Sequence, residues 1–220
     1  LASMGIYVFS TRFLYDSLIE DARDENSAHD FGRSIIPRAI HNSVAMAYPY
    51  RDEQGKMAYW RDVGTVDAYW KANMELCAVE PELNLYNQKW PIWTYQTQHP
   101  PAKFIFDDEG RRGEAINSLV SGGCIIAGAR VKRSVIFYAT RIETGSLVKD
   151  SVVLPMVEIG KNCRITRAII DKGTRIPDGA IIGEDPAEDA RRFHISDEGI
   201  VLVTPEMMGQ NLMFGVIAIY

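Results

Sequence analysis

Apolar residues recur every seventeen positions across residues 117–183, in the most regular pattern of the chain. Three columns with this spacing each hold four members: Leu119, Ile136, Val153 and Ile170; Ile125, Ile142, Ile159 and Ile176; and Val131, Val148, Ile165 and Ile182. Three columns in one period indicate a coil with three short sides, each contributing one inward residue. Such short strands are unstable alone, so the pattern predicts stacked coils that pair with the coils above and below.

A column of glycine and asparagine follows the same period and predicts one corner of every coil. Its members are Gly128, Gly145, Asn162 and Gly179. Glycine and asparagine tolerate the positive φ angles that tight corners require. The pattern resembles the hexapeptide-repeat, left-handed parallel β-helix, an exception to the right-handed crossover rule. The alternative is a run of ordinary β-sandwich strands, which the shared period disfavours.

The first eighty residues alternate between strand-like and helix-like segments. Strands are predicted at 4–9, 44–50 and 58–61, and helices at 10–20, 31–40 and 65–79. Pro37 should shorten or kink the second helix, because its ring and missing N–H disturb a helix interior. This alternation predicts an α/β portion with a partly parallel sheet.

These patterns divide the chain into four predicted regions. They are the α/β portion at 1–80, an aromatic, proline-containing connector at 81–116, the coil domain with its C-terminal extension at 117–204, and a tail at 205–220. The end of the tail, 212–220, is apolar but too short to span a bilayer, and we expect an edge strand or a subunit contact there. Because a strand follows the first residue almost at once, we expect the chain to be the C-terminal part of a longer protein.

Composition narrows the possible partners and the compartment. The formal charge is −5 and no basic run occurs, which argues against nucleic acid as a partner. The sequence has no signal peptide and no apolar run long enough for a membrane span, so we expect no membrane partner and a cytoplasmic location. Three scattered cysteines fit a reducing compartment: Cys77, Cys124 and Cys163.

Asp62 is the first candidate for chemistry. It follows a predicted strand and precedes Gly64 and a helix start, which is where α/β sheets bind ligands. A carboxylate there can hold Mg²⁺ that bridges phosphates, although it can equally cap the loop while Gly64 makes the turn. Ser3 and Asp30 have the same ambiguity, since each can contact a hydroxyl-rich ligand or simply stabilise a strand edge or a helix start.

The coil region contains no histidine between residues 117 and 183. Acyl transfer by such coils needs a histidine base, and a zinc site there needs several histidines. An acyltransferase is therefore disfavoured, and we expect the coil to be a scaffold or a subunit interface in a closed homo-oligomer. The histidines elsewhere are scattered and are expected to be surface or hydrogen-bonded residues: His29, His41, His99 and His194.

Five segments in a fixed order resemble one family. They are Leu-Ala-Ser-Met-Gly-Ile-Tyr-Val-Phe at 1–9, His-Asp-Phe-Gly at 29–32, Tyr-Trp-Arg-Asp-Val-Gly-Thr at 59–65, Glu-Asp-Ala-Arg-Arg-Phe at 188–193 and Gly-Ile-Val-Leu-Val at 199–203. With the coil between the third and the fourth, the set resembles bacterial glucose-1-phosphate adenylyltransferase. The resemblance implies that residues 1–80 are the C-terminal portion of a Rossmann-like nucleotidyltransferase domain. It also implies the formation of ADP-glucose and pyrophosphate from ATP and glucose 1-phosphate for glycogen synthesis.

The resemblance also implies roles for single residues. Ser3 matches the family's serine that contacts the sugar of ADP-glucose, and Asp30 matches a residue near the glucose. Asp62 matches the metal-coordinating aspartate of the catalytic centre, with Mg²⁺ as the implied cofactor. Family members are tetramers regulated by phosphorylated metabolites, and Lys172 stands where enteric members have an AMP-binding arginine, whose planar fork a lysine lacks.

Departures from the family pattern qualify these implications. The Gly-rich nucleotide loop, the first metal-binding aspartate and the Glu-Lys pair for glucose 1-phosphate have no counterpart in the 220 residues, so we expect the chain alone to be inactive. Pro205 and Gly209 replace two arginines that bind fructose 1,6-bisphosphate, which predicts a weak or altered response to that activator. Arg164, Arg167 and Arg175 remain possible anion contacts. The alternative function is a non-catalytic oligomerisation or regulatory module built on the coil.

Overall fold

The computed structural model describes residues 3–52, 54–108 and 110–210 and divides the chain into two compact units, Leu1–Trp60 and Arg61–Tyr220. The helical elements are α1 (Thr11–Arg23), a π-helical turn (Phe31–Ile35), α2 (Ile36–Asn42), α3 (Val66–Glu75) and α4 (Pro186–Arg192). The strands are β1 (Lys103–Ile105), β2 (Asp107–Asp108), β3 (Arg111–Arg112), β4 (Glu114–Ile116), β5 (Leu119–Val120), β6 (Ile125–Ala127), β7 (Arg130–Lys132), β8 (Val135–Ile136), β9 (Arg141–Ile142), β10 (Leu147–Lys149), β11 (Val152–Val153), β12 (Glu158–Ile159), β13 (Arg164–Thr166), β14 (Ala168–Ile170), β15 (Arg175–Ile176), β16 (Ile181–Ile182), β17 (His194–Ile195) and β18 (Val201–Val203).

The helices of the first unit depart from the prediction at two places. Helix α1 continues to Arg23, so Asp21, predicted to lie in a polar loop, is a buried helical residue. The second predicted helix is split into the π-helical turn and α2, and Pro37 lies in the first turn of α2. Proline is tolerated in a first turn because the N–H that it lacks has no helical partner there. The split therefore moves the proline from a helix interior to a helix start.

The strands predicted at 4–9 and 44–50 are not formed among the described residues of the first unit, where a single bridge joins Arg51 to Met57. The third strand, predicted at 58–61, is also absent. A strand needs a partner for its backbone N–H and C=O groups, and no partner for these segments lies in the described part of the chain. The sheet predicted from the local pattern is therefore not formed within these residues.

The second unit is a three-faced parallel β-solenoid, as the period predicts. Its faces are the rows β1-β6-β9-β12-β15, β4-β7-β10-β13-β16 and β5-β8-β11-β14-β18, with β17 added antiparallel to β18. The first strand of the stack begins at Lys103, so part of the region predicted as a connector belongs to the coil. The antiparallel pair β2 and β3 lies along the chain between β1 of the first face and β4 of the second.

The register confirms one predicted column and corrects the other two at their first members. Val131, Val148, Ile165 and Ile182 stack as predicted. In the other columns Val120 pairs with Ile136 and Ile126 with Ile142, in place of Leu119 and Ile125. The cause is a corner at 127–129 that has one residue fewer than the equivalent corner at 143–146. Ahead of this corner, β4, β5 and β6 pair with the next coil at an offset of sixteen residues, and a shift by one residue exchanges inward for outward side chains.

All three corners of the coil use left-handed backbone, whereas the sequence predicted one. The predicted column has positive φ at all four members. Two further columns share this conformation: Asn117, Arg133, Asp150 and Arg167, and Gly123, Ala139, Met156 and Gly173. Their backbone N–H groups donate to carbonyls of the preceding coil, as Arg133 does to Ile116 and Ala139 to Gly122. These hydrogen bonds between coils stabilise an angle that is unfavourable for residues other than glycine.

The third face of the solenoid is buried on both sides because helix α3 packs on its outside. The outward residues of this face are apolar, and Val152 and Ile169 are buried beneath the helix. Tyr69, Trp70 and Met74 of α3 make this contact, with the Trp70 indole Nε1 donating to the Asp150 carbonyl at 2.8 Å. The coil thus holds α3, and with it the loop that contains Asp62.

Residues 205–210 close the C-terminal end of the coil. Met208 packs against the core, and the side chain of Gln210 bonds both the N–H and the carbonyl of Arg175. The edge strand or subunit contact predicted for the apolar end, 212–220, lies outside the described residues. No helix in the described ranges has the length and apolar character needed to cross a membrane.

Alanine substitutions at two adjacent isoleucines test the corrected register. Ile126 is fully buried, and its truncation should lower the free energy of unfolding by about 2–5 kcal/mol. Ile125 is partly exposed, and its truncation should cost about 1 kcal/mol or less. Urea unfolding of both variants measures the difference. A larger cost for Ile125→Ala than for Ile126→Ala would contradict the corrected register and support a uniform period of seventeen.

Candidate functional site

The loop at 61–65 presents Asp62 in an exposed turn. Its Oδ1 accepts the Gly64 N–H at 3.0 Å, and the Thr65 hydroxyl oxygen accepts the Ala68 N–H at 3.2 Å as the N-cap of α3. Asp62 therefore has the predicted loop-capping role, although the strand predicted before it, at 58–61, is not formed. A carboxylate that accepts one N–H keeps acceptor capacity for a cation. The Asp62 carboxylate can therefore cap the turn and still bind a cation.

Arg61 ties this loop to the rest of the second unit. Its guanidinium bonds Glu75 at the end of α3 with an Nε–Oε2 distance of 3.0 Å, and Glu82 in the connector with an Nη2–Oε2 distance of 2.6 Å. Both pairs are partly exposed, so each contributes little to stability. Their geometric effect is to hold the residue before Asp62 at two points.

Within the first unit the structure links Ser3 to the segment around Asp30. The Ser3 and Tyr7 hydroxyl oxygens are 2.8 Å apart, and the Tyr7 ring stacks on Phe31 with centroids 6.1 Å apart. Phe9 also contacts the Phe31 ring. Tyr7 was not predicted as a site residue. The sequence gives little indication of such a role, because a tyrosine in an apolar strand pattern is expected to be a core residue.

Asp30 is an N-cap residue, the simpler of its two predicted roles. Its Oδ1 accepts the Arg33 N–H at 2.8 Å, and its carbonyl accepts the Ser34 N–H. The residue is exposed, so the cap does not exclude a ligand from the second carboxylate oxygen. The structure thus places Ser3, Tyr7 and Asp30 in the first unit and Asp62 in the second.

Lys172 lies in an exposed turn between β14 and β15, where its backbone N–H donates to the Asp171 carboxylate. The three arginines predicted as possible anion contacts have partners on their own unit. Arg164 pairs with Glu184 and Arg175 with Glu158, while Arg167 donates to the Glu198 carbonyl and lies 5.2 Å from the Trp70 ring. These contacts favour a structural role for the arginines.

The described residues contain no group of three His, Cys, Asp or Glu side chains arranged to hold a metal ion. Mg²⁺ does not need such a group, because it keeps several waters and is bound through one or two carboxylates together with substrate phosphates. Asp62 alone can supply one such ligand.

His99 differs from the prediction that the histidines are surface or hydrogen-bonded residues. Its buried Nε2 has no hydrogen-bond partner in the described part of the chain, and its ring stacks on Tyr138.

Two known protein families match the chain, one in its N-terminal part and one in the coil. Residues 1–79 match the model of the nucleotidyl transferase family, and residues 100–203 match that of a GlmU-like, C-terminal hexapeptide family. The second match accords with the predicted left-handed parallel β-helix. The first places the extended segments and helices of residues 1–79 in a nucleotidyltransferase domain, which confirms the predicted fold class.

Curated relatives match nearly the whole chain. Proteins named glucose-1-phosphate adenylyltransferase are 68% identical in Thiobacillus denitrificans, 61% in Hydrogenovibrio crunogenus and 59% in Methylococcus capsulatus, over 212, 213 and 214 residues. These alignments include 96–97% of this chain and 48–50% of each relative. The chain therefore spans about half the length of the curated relatives that it matches.

Proposed function

Because the chain is homologous over nearly its whole length to glucose-1-phosphate adenylyltransferases, we propose that it is part of such an enzyme. That enzyme forms ADP-glucose and pyrophosphate from ATP and glucose 1-phosphate, as a step in glycogen synthesis. The identity to relatives of that name, which extends through both regions of the chain, is the observation that carries the proposal. The whole reaction requires further protein, because the relatives are about twice as long.

Exposed apolar side chains in the first unit support the proposal that further protein completes the enzyme. Val8, Val44, Met46 and Tyr48 are each at least 90% exposed although they alternate as in a half-buried strand. Apolar residues clustered on extended segments indicate a surface that further protein covers. We propose that a nucleotidyltransferase sheet covers them in the complete enzyme.

The residues have distinct roles in this proposal. Ser3, with Tyr7 beside it, and Asp30 contact the sugar, since hydroxyls and carboxylates suit a polyhydroxylated ligand. Asp62 provides a ligand for Mg²⁺, which would supply charge stabilisation for the phosphates when bound. Phosphoryl transfer asks little covalent chemistry of the protein, so these residues bind and orient the substrates.

The remaining features of the proposal concern assembly and regulation. The enzyme is a cytoplasmic homotetramer regulated by phosphorylated metabolites, and Lys172 contributes to an effector site. An exposed position in a turn of the coil is compatible with that role.

Pyrophosphate release tests the proposed function. The complete enzyme containing these residues should release pyrophosphate and ADP-glucose only when ATP, glucose 1-phosphate and Mg²⁺ are all present. The 220-residue chain alone should give no release above the blank. Full activity of the chain alone would contradict the proposal that further protein is required. An inactive but folded complete enzyme would favour the non-catalytic coil module.

A further inference from the structure

The loop that leads to Asp30 is held by a buried carboxylate that no predicted role had used. Asp21, on α1, is only 4% exposed. Its Oδ1 accepts the Ser27 hydroxyl at 2.5 Å, and its Oδ2 lies 3.0 Å from His29 Nδ1. Arg38 of α2 approaches the same oxygen as Ser27, with its Nη2 at 3.8 Å from Oδ1. One acid thus joins α1, the loop and α2.

The Asp21 carboxylate is kept ionised by these contacts. The Ser27 hydroxyl, and after it His29, lower the pKa of Asp21 by donating hydrogen bonds to the charged form. An ionised acceptor requires a donor, so the His29 ring carries a proton on Nδ1, and its neutral form is the Nδ1-protonated tautomer. The contact therefore selects one tautomer of His29.

The same contacts stabilise an unfavourable backbone at His29. This residue has a φ of 50°, in the left-handed region that few residues other than glycine occupy. The Ser27 hydroxyl oxygen accepts the His29 N–H at 3.1 Å while donating to Asp21. Side chain and backbone of His29 are thus both tied to one carboxylate, directly or through Ser27.

The next residue along the chain is Asp30. With His29 fixed, the backbone enters the π-helical turn at one angle, and the Asp30 carboxylate is then set by its bond to the Arg33 N–H. Phe31, on the far side of Asp30, is held by its ring contacts with Tyr7 and Phe9, so His29 fixes the side that precedes Asp30. A change at Asp21 would therefore move the Asp30 carboxylate without touching it.

We propose that Asp21 is a positioning residue for the sugar half of the reaction, acting through His29 and the backbone of Asp30. The inference rests on the proposed function, in which Asp30 contacts glucose 1-phosphate. It assigns Asp21 an effect on the sugar substrate and no effect on ATP. Small displacements of a binding group cost large factors in affinity or rate, which makes the effect measurable.

The Asp21→Asn substitution in the complete enzyme tests the proposal by steady-state kinetics. The KM for glucose 1-phosphate should rise about tenfold, while the KM for ATP and kcat stay within about twofold. Asp24→Asn is the matched control, because Asp24 also pairs with Arg38, at 3.5 Å, but its side chain is 43% exposed. The control should change neither KM. An equal rise in both KM values, or none, would overturn the proposal.

Nitrogen NMR of labelled histidine gives a readout that does not depend on activity. In the parent enzyme the His29 Nδ1 should be protonated. In Asp21→Asn the amide oxygen should accept the Ser27 hydroxyl and turn the N–H₂ toward Nδ1, so the ring should change to the Nε2-protonated tautomer. An unchanged tautomer would contradict the positioning role even if the proposed function holds, and a changed tautomer in an enzyme without adenylyltransferase activity would refute only the function.

A second variant keeps the proposal testable if Asp21→Asn fails to fold. His29→Gly retains the positive φ and removes the ring that bonds Asp21. It should reproduce the selective rise in the KM for glucose 1-phosphate. Parent-like values for this variant would show that the contact between Asp21 and His29 does not position Asp30.

Discussion

Replacing Gly183 with alanine is expected to lower the free energy of unfolding by about 2–5 kcal/mol, one of the largest stability effects in the coil. Gly183 has a φ of 81°, which costs an L-residue about 1–2 kcal/mol. In addition, an added Cβ would collide with the backbone carbonyl oxygen of Thr166, and overpacking of this kind costs about 1–3 kcal/mol. A backbone atom in a paired strand cannot move aside without breaking the stack.

Gly179→Ala is the matched control for this prediction. Gly179 has nearly the same φ, 74°, and lies in the same coil, but an added Cβ would meet no atom within 4 Å. Its substitution should therefore cost only the conformational part, about 1–2 kcal/mol. Urea unfolding with an unchanged slope separates the two variants. Equal costs would mean that Thr166 does not lie over Gly183.

Asp62→Asn is expected to lower the kcat of the complete enzyme by on the order of a hundredfold to a thousandfold, since losing a metal ligand removes several kcal/mol of charge stabilisation. The substitution is conservative for the fold. Asparagine has the same Oδ1 to accept the Gly64 N–H, so the turn before α3 should persist. The lower kcat would therefore result from the lost negative charge of Asp62 and not from a changed loop structure.

Asp52→Asn controls for the effect of changing an aspartate in such a turn. Asp52 Oδ1 accepts the Gln54 N–H at 2.9 Å and the Lys56 N–H at 2.8 Å, and no site role is predicted for it. This variant should retain parent-like kcat and KM values in the pyrophosphate assay. If both variants lose activity equally, turn geometry and not metal binding explains the role of Asp62.

The coil was predictable because its stabilising contacts repeat along the sequence. Val148 contacts equivalents seventeen residues before and after it, so the register appears directly as a period. The one-residue deletion near Gly128 was not predictable, because isoleucine stands at both 125 and 126 and either choice fits an apolar column. Only strand pairing distinguishes the inward residue from its neighbour.

The first unit shows the opposite limit. Val44–Tyr50 has a strand pattern, but pairing depends on a partner that the local sequence does not specify. Asp21 reads as a polar loop residue because its three partners are six, eight and seventeen positions away. The capping geometry of Asp30 and Asp62 was predictable from turn chemistry alone. Their proposed ligands were not, because capping and binding require the same carboxylate.

The thermal midpoint of the complete enzyme directly tests whether Asp62 supplies a magnesium ligand in an enzyme that binds ADP-glucose. ADP-glucose should raise the midpoint, and Mg²⁺ should raise it further in the parent and in Asp52→Asn. In Asp62→Asn the magnesium-dependent increment should disappear while the remainder persists. An increment of parental size in Asp62→Asn, or no shift with ADP-glucose in the parent, would contradict the account.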